Sequence, residues 1–546
     1  MKIALGQINT TVGAISENVE KMIEYAERAN VSGADMIVFH ELCIPGYPPK
    51  GLVCKRELVA ANQKALERVA GECRGIGVMC GYIDQEGQKS RRCVYNAAAL
   101  INEGEVILCH RKNALGAFAS FDEPVHFTAG KGGSVWDFKG RRIGLVISED
   151  AWMDKDSWAI HGKRKTVVGR VVRRGADLLV VIASSPFWPK KVRQREKAAK
   201  AVALRYGVPL VYVNQVGGND SLVFDGGSFA VAADGRIIVR AKRFEEDLVV
   251  FDLNAPAEAE PVRQDDVEDV RRSLILGVRD FAGKCSFDKA VVGLSGGIDS
   301  AVVACTAVDA LAKENVLAVI MPSMYSSPDS LRDAKLLAQN LGIEHKVIAI
   351  EPIYRSYMAS LQQEFEGLPE DVTEENIQAR IRGNLLMAFS NKFGHLVLAT
   401  GNRSEAMTGY CTLYGDAAGG LAVIADVPKT MVYELAKRFN QNQQVIPRSV
   451  FDRAPSAELK PNQKDADTLS PYEVLDPILA ALLDEGKTPD EVIEMGYDRQ
   501  TVLDVVRRIY QSEHKRRQSP PPLFVSKSAL APGKARPIAI GASDTA

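Results

Sequence analysis

The chain has 546 residues, 46% of them hydrophobic and 25% charged, the balance of an ordinary globular protein. A single core rarely grows beyond roughly 250–300 residues, so two or more domains are expected. With 68 Lys and Arg against 69 Asp and Glu the net charge is −1, which excludes a basic footprint for nucleic acid and any pull toward an anionic membrane. The nine cysteines show neither a C-x-x-C nor a paired Cys/His zinc spacing, and they read as reduced thiols. No apolar run of about eighteen residues and no signal-like start are present, so a cytoplasmic protein is expected.

The first half alternates short apolar runs with amphipathic stretches. Strands are predicted at Lys2–Ile8, Met36–Phe39, Val78–Tyr82, Tyr95–Ile101, Arg142–Ser148, Leu178–Ala183 and Pro209–Asn214. Helical spacing covers Asn18–Val31 and Val192–Tyr206, and that alternation predicts a layered α/β domain. Phe224–Ala232 and Ile237–Arg240, split by Ala233-Asp234-Gly235-Arg236, read as a hairpin. The small, acidic, proline-bearing stretch Asn254–Pro261 suits a linker. Beyond it a helix is predicted at Asp265–Phe281 and a strand at Lys289–Leu294, with further strands at Val316–Met321, Lys346–Ile350 and His395–Ala399. Asp329–Leu341 reads as a helix, with Gly342 at its C-terminal cap. After Ser519 the proline run and small residues suggest an extended or partly disordered tail.

The sharpest motif is Gly293-Leu294-Ser295-Gly296-Gly297-Ile298-Asp299-Ser300, between a strand and the helix Ala301–Leu311. Consecutive glycines let the backbone turn tightly and aim N–H groups at an anion, and the helix N-terminus adds partial positive charge. Ser295 and Ser300 can donate to phosphate oxygens, whereas Asp299 calls for an intervening cation. No lysine stands where a Walker loop requires one. The string resembles the loop of the ATP pyrophosphatases, which cleave ATP to AMP and pyrophosphate while adenylating an oxygen.

Five blocks follow in order: Glu375-Asn376-Ile377-Gln378-Ala379-Arg380-Ile381-Arg382; Thr400-Gly401-Asn402-Arg403-Ser404-Glu405; Gly409-Tyr410-Cys411-Thr412-Leu413-Tyr414-Gly415-Asp416; Asp426-Val427-Pro428-Lys429-Thr430; and Pro455-Ser456-Ala457-Glu458-Leu459. Glu513-His514-Lys515-Arg516 closes the series. This succession resembles the NAD synthetase branch over residues 266–546. The resemblance implies ATP and Mg2+, with Asp299 and Glu405 as metal ligands and Gly293–Ser300 plus Thr400 at ATP. It further implies Asn376, Glu405, Asp416, Lys429 and Lys515 at deamido-NAD. The implied reaction adenylates the nicotinate carboxylate and then displaces AMP with ammonia.

In the first half, His40-Glu41-Leu42-Cys43-Ile44-Pro45-Gly46-Tyr47, Arg111-Lys112 and Gly144-Leu145-Val146-Ile147-Ser148-Glu149-Asp150 resemble the nitrilase family, whose Glu–Lys–Cys trio hydrolyses amides. Glu41 matches the base and Lys112 the lysine, but Ser148 stands at the cysteine position. A thiol has a reference pKa near 8.5, whereas a serine hydroxyl is far harder to ionise, so glutamine hydrolysis is expected to be impaired. Phe118, Ser185 and Lys191 match glutamine-binding positions. The family's Leu-Pro-Asn-Tyr reads Leu115-Gly116-Ala117-Phe118, and its Asn-Ala-Ser-Pro-Phe reads Ala183-Ser184-Ser185-Pro186-Phe187. Three altered blocks around one pocket favour divergence over a single engineered Cys→Ser change.

The expected architecture is α/β throughout: a nitrilase-type α-β-β-α sandwich at 1–253, a linker at 254–265, a Rossmann-like parallel-sheet ATP pyrophosphatase domain at 266–518 and a tail at 519–546. The resemblance also implies glutamine or ammonia as nitrogen donor and a homo-oligomer. Two alternatives stay open: another ATP-pyrophosphatase amidotransferase, or a paralogue that binds glutamine or nucleotide and regulates a partner.

Overall fold

A computed structural model describes residues 1–86, 94–117, 121–151, 167–255, 258–262, 264–530 and 536–539. The chain divides into two compact units, 1–264 and 265–546. The first contains β1 (Lys2–Gln7), β2 (Met36–Val38), β3 (Gly77–Gln85), β4 (Val94–Asn102), β5 (Glu105–Arg111), β6 (Ser134–Phe138), β7 (Arg141–Ile147), β8 (Leu178–Ala183), β9 (Leu210–Asn214), β10 (Val216–Asn219), β11 (Leu222–Asp225), β12 (Phe229–Val231), β13 (Ile237–Arg240) and β14 (Asp247–Asp252). Two six-stranded sheets result, in the orders β14-β1-β2-β3-β4-β5 and β13-β12-β9-β8-β7-β6.

Side chains alternate across each strand, and the apolar sequence on both faces forces burial on both. Ile3, Leu5 and Val38 of one sheet share a core with Ile143, Leu145 and Val180 of the other. The opposite faces pack against helices: Ala4 and Ile37 against α1 (Ile15–Val31) and α2 (Arg56–Glu72). A short α3 (Glu123–His126) precedes α4 (Val167–Arg173) and α5 (Lys191–Tyr206), which cover Val146 and Val181. This is the α-β-β-α sandwich that the sequence predicts.

Three details differ from the sequence reading. The predicted strand Phe224–Ala232 is broken after Asp225, because Gly226 and Gly227 take φ of 60° and 62°. The strand Arg142–Ser148 ends one residue early: Ser148 turns off it with φ of 42°. Strands β5, β6, β10 and β14 lie outside the predicted set.

The second unit is built on β15 (Lys289–Gly293), β16 (Val316–Ile320), β17 (Glu344–Val347), β18 (His395–Ala399) and β19 (Leu421–Ala422), all parallel, in the order β17-β16-β15-β18-β19. The predicted strand Lys346–Ile350 begins earlier, at Glu344, and ends at Val347. Helices α6 (Asp266–Lys284), α7 (Ile298–Leu311), α8 (Pro328–Leu341), α9 (Glu351–Leu361), α10 (Val372–Phe393), α11 (Arg403–Thr408) and α12 (Lys429–Phe439) follow in chain order. The chain runs outward from β15 to β17 and then returns to β18 on the other side of β15. That reversal opens a crevice beyond the carboxyl ends of β15 and β18, where such sheets bind ligands.

Residues 520–526 run extended but packed, and Lys527–Leu530 form a short helix. Ala422 and Pro522 form a parallel bridge, and Leu523, Val525 and Leu530 are buried. Asp426 fixes the segment by accepting from the Val525 and Ser526 N–H groups at 2.8 and 2.7 Å. Among the described residues no helix is long and apolar enough to cross a membrane.

Candidate functional site

Each unit gathers buried polar groups at one end of its sheets. In the first, Glu41 lies beyond β2 and Lys112 directly follows β5. The Lys112 ammonium reaches Glu41 Oε1 at 2.7 Å, Glu123 Oε2 at 2.8 Å and Glu149 Oε2 at 2.5 Å. Asn96 Nδ2 donates to both Glu41 and Glu123, at 2.7 and 3.0 Å. The Ser184 N–H, just beyond β8, donates to Glu41 Oε2 at 2.9 Å. Glu41 therefore links the ends of both sheets.

Three carboxylates share one lysine. Burial raises the Glu41 pKa against the pull of Lys112. Burial likewise pushes Glu123 up to about 8, assisted by Glu41 and Glu149. Burial opposes the charge on Lys112, but Glu123, Glu149 and Glu41 overcome it and hold its pKa well above the usual lysine value. The oxygens of the three carboxylates lie within 4.8 Å of one another, with the lysine ammonium in contact with all three.

Ser148 is buried, at the turn where β7 passes into the Ser148–Ala151 helical turn. The two residues that follow it are tied down: Glu149 to Lys112, and Asp150 by accepting from the Asn113 and Ala114 N–H groups at 3.1 and 2.7 Å. Positive φ is costly for serine, and such strained turns after a strand commonly lift a side chain toward a pocket. Ser185 donates its N–H to Asn214 Oδ1 at 2.8 Å. Lys191 opens α5 with its ammonium 3.6 Å from the Trp188 ring centroid. Phe118 lies outside the described residues. Glu123 is the member that sequence reasoning missed: nothing in its spacing assigns it a role.

In the second unit the loop Gly293–Gly297 joins β15 to α7. Gly296 has φ of 84°, and a Cβ there would fall 2.3 Å from the Ser330 carbonyl oxygen. The loop is closed by its own hydroxyls: Ser295 and Ser300 share a hydrogen bond at 3.1 Å, and Gly297 N–H donates to Ser295 Oγ at 3.1 Å. All of Gly293–Ser300 line one cleft with Thr400, Glu405, Asp416 and Lys429. Asn376 and Lys515 support its wall instead. Asn376 accepts from Thr412 Oγ1 at 2.7 Å, and Lys515 donates to the Gly409 and Cys411 carbonyls at 2.7 Å.

At the centre, Asp299 in the first turn of α7 meets Glu405 in the first turn of α11. Asn402 caps α11 and ties the two together: its Nδ2 donates to Asp299 Oδ1 at 3.0 Å and its N–H to Glu405 Oε2 at 3.1 Å. Lys429 Nζ hydrogen-bonds Asp299 Oδ2 and lies 3.8 Å from Glu405 Oε1. Burial, then the Asp299 charge, pushes Glu405 up to about 8. Burial raises Asp416 to about 6. The cleft also holds residues without a predicted role. Asp465 accepts from Tyr472 and Tyr410 hydroxyls at 2.9 and 3.3 Å. Arg382, held down to about 10 by burial, donates to the Met321 carbonyl at 3.0 Å.

A nitrilase-type sandwich and a parallel sheet bearing a Ser-Gly-Gly phosphate loop, in one chain, define an amidase joined to an ATP-pyrophosphatase ligase. Residues 2–260 match the carbon-nitrogen hydrolase family model and residues 270–519 the NAD synthase model. The chain is 44% identical to the glutamine-dependent NAD(+) synthetase of Synechocystis sp. over 98% of both chains. Identity to that of Thermotoga maritima is 40% over 95% of both. The solved glutamine-dependent NAD+ synthetase of Acinetobacter baumannii in complex with ADP superposes with a TM-score of 0.78 at 36% identity, covering 98% of this chain and 97% of that one. The chain belongs to the family of glutamine-dependent NAD(+) synthetases.

Proposed function

We propose that the chain converts deamido-NAD to NAD at the cost of ATP, and that ammonia serves it better than glutamine. The observation that carries this is the cleft in which Gly293–Ser300, Asp299, Glu405 and Lys429 converge, in a chain matched to such synthetases along nearly its whole length.

In the first step the nicotinate carboxylate attacks the α-phosphorus of ATP, and the bond to pyrophosphate breaks. Two anions must approach one another, so the protein's task is positioning and charge stabilisation. The loop N–H groups, the α7 N-terminus and the Ser295 and Ser300 hydroxyls are suited to cradle the polyphosphate. Lys429 supplies positive charge beside it. In the second step ammonia attacks the acyl carbon, the bond to AMP breaks and a proton is released; Asp416 and Asp465 lie in the same cleft. The site fits Mg2+ on its donor chemistry, since Asp299 and Glu405 offer hard carboxylate oxygens with a lysine ammonium already lodged beside both. Bound there, the ion would neutralise phosphate charge.

In the first unit Glu41 is suited to act as base and Lys112 to stabilise developing oxyanion charge, with Ser185 and Lys191 toward glutamine. The Ser148 hydroxyl replaces a thiol against a carboxylate base, whereas serine hydrolases use a histidine base and an oxyanion hole built for an alcohol. Glutamine turnover is accordingly weak. The same reading gives a cytoplasmic homo-oligomer; light scattering that returned a single-subunit mass would remove that part.

The test is NAD formation from deamido-NAD, ATP and magnesium, run in parallel with ammonium chloride and with glutamine. Activity with ammonium and little with glutamine is expected. Equal rates would overturn the reading of Ser148, and no NAD with either donor would overturn the synthetase reading.

A further inference from the structure

The four oxygens of Asp299 and Glu405 are not equivalent. Asn402 takes one from each: Asp299 Oδ1 accepts from its side chain and Glu405 Oε2 from its backbone N–H. The two that remain, Asp299 Oδ2 and Glu405 Oε1, are those the Lys429 ammonium spans. A divalent ion ligated by this pair would need the same oxygens, at about 2.1 Å for magnesium. Ammonium and metal ion compete for them.

Lys429 is built to yield. Its backbone is fixed as the first residue of α12, where its N–H donates to Ser404 Oγ at 3.0 Å. Its ammonium lies 5.3 Å from the Tyr472 ring centroid, a face that tolerates a cation. The groups around it are Asp299, Glu405 and Asp465, three carboxylates against one lysine, so a divalent ion balances the cluster while the lysine stays in the cleft.

We infer that Lys429 is a built-in counter-cation: it holds Asp299 and Glu405 together while the site is without metal, and it swings off them when a divalent ion arrives with the nucleotide. This rests on the metal reading given above. Its consequence is an ordered site that takes up metal poorly on its own. With nucleotide bound, the displaced ammonium has phosphate oxygens to move to, and the exchange becomes favourable.

The experiment is Mn2+ binding to the full-length protein, followed by electron paramagnetic resonance. Without nucleotide, Lys429→Met and Lys429→Gln are expected to bind Mn2+ on the order of 10-fold more tightly than wild type. Adding Asp299→Asn to Lys429→Met should abolish the gain. If neither single variant binds more tightly, the counter-cation role is overturned. Removing the lysine leaves two part-buried carboxylates facing each other, so a variant that is unfolded without metal should refold and melt higher with millimolar Mn2+; failure to do so also overturns it. A parallel titration of wild type and Asp299→Asn with a non-hydrolysable ATP analogue separates the two readings. If nucleotide-dependent Mn2+ binding survives Asp299→Asn, the metal assignment itself falls. If it is lost while the lysine variants gain nothing, only the switch falls.

Discussion

Asp299 and Glu405 come from helices more than a hundred residues apart, and Asn402 and Lys429 knit them into one unit. Asp299→Ala or Glu405→Ala should therefore lower NAD formation by at least about 100-fold with ammonium and with glutamine alike, measured as kcat on either donor. Ser148→Cys acts on one donor only. It is expected to raise the glutamine-dependent rate by at least about 10-fold through easier thiolate formation, leaving the ammonium rate unchanged. Glu123 adds a pH signature. Its pKa is about 8 when folded against about 4.3 for a free glutamate. Between those values the folded chain holds a proton that the unfolded chain has lost, so stability falls as pH rises through the window. The limiting slope is about 1.4 kcal/mol per pH unit, and Glu123→Gln should flatten it in denaturant melts at pH 5 to 8. Asp299, Glu405 and Ser148 were legible because each sits in a contiguous string. Glu123 and Asp465 were not: their significance comes from Lys112 and from Tyr410 and Tyr472, which only the fold brings near.

At the level of elements, the turn between β15 and α7 bears on ATP most directly. Gly296→Ala must place a Cβ where the Ser330 carbonyl lies and adopt a φ that alanine disfavours. A strain of about 1–3 kcal/mol is expected, seen as an ATP KM raised on the order of 10-fold and a melting temperature lower by a few degrees. The strands the sequence disclosed most plainly are buried on both faces, such as β7, β8 and β15, whose apolar runs admit no other reading. Three edge strands, β5, β6 and β14, escaped. β5 reads Glu-Val-Ile-Leu-Cys-His-Arg with much of its surface exposed, and β14 is half-exposed along its length. The helix α10 escaped for another reason: its buried residues include Gln378 and Gly383, so no single apolar stripe marks it. Gly226 and Gly227 stopped a strand because two successive left-handed residues cannot continue a ladder, whatever the apolar pattern beside them.

At the level of the molecule, each unit is closed by a segment from its far end. β14 pairs with β1 in antiparallel register from Lys2 against Asp252 to Gln7 against Asp247. In the second unit, residues 521–523 pair with β19, and Leu523, Val525 and Leu530 are buried. Truncation after Gln518 would expose that apolar surface and leave Asp426 and Arg403 without Ser526 and Ser528. Each buried aliphatic side chain contributes about 1.5–3 kcal/mol, so the truncated chain should melt well below the intact one and lose NAD formation, because Arg403 opens the helix that carries Glu405.

The position of these closing segments governs how the chain emerges from the ribosome. Once β14 has cleared the exit, the amidase unit has every strand it needs and can fold while synthesis continues. The ligase unit cannot. Its phosphate loop appears early, yet the edge strand β19 stays uncovered until Pro522 and the buried side chains after it are made. Through nearly three hundred codons the nascent chain thus carries a finished amidase unit ahead of an unfinished ligase unit, and a ribosome stalled before the end would release an amidase fold with no enzyme behind it.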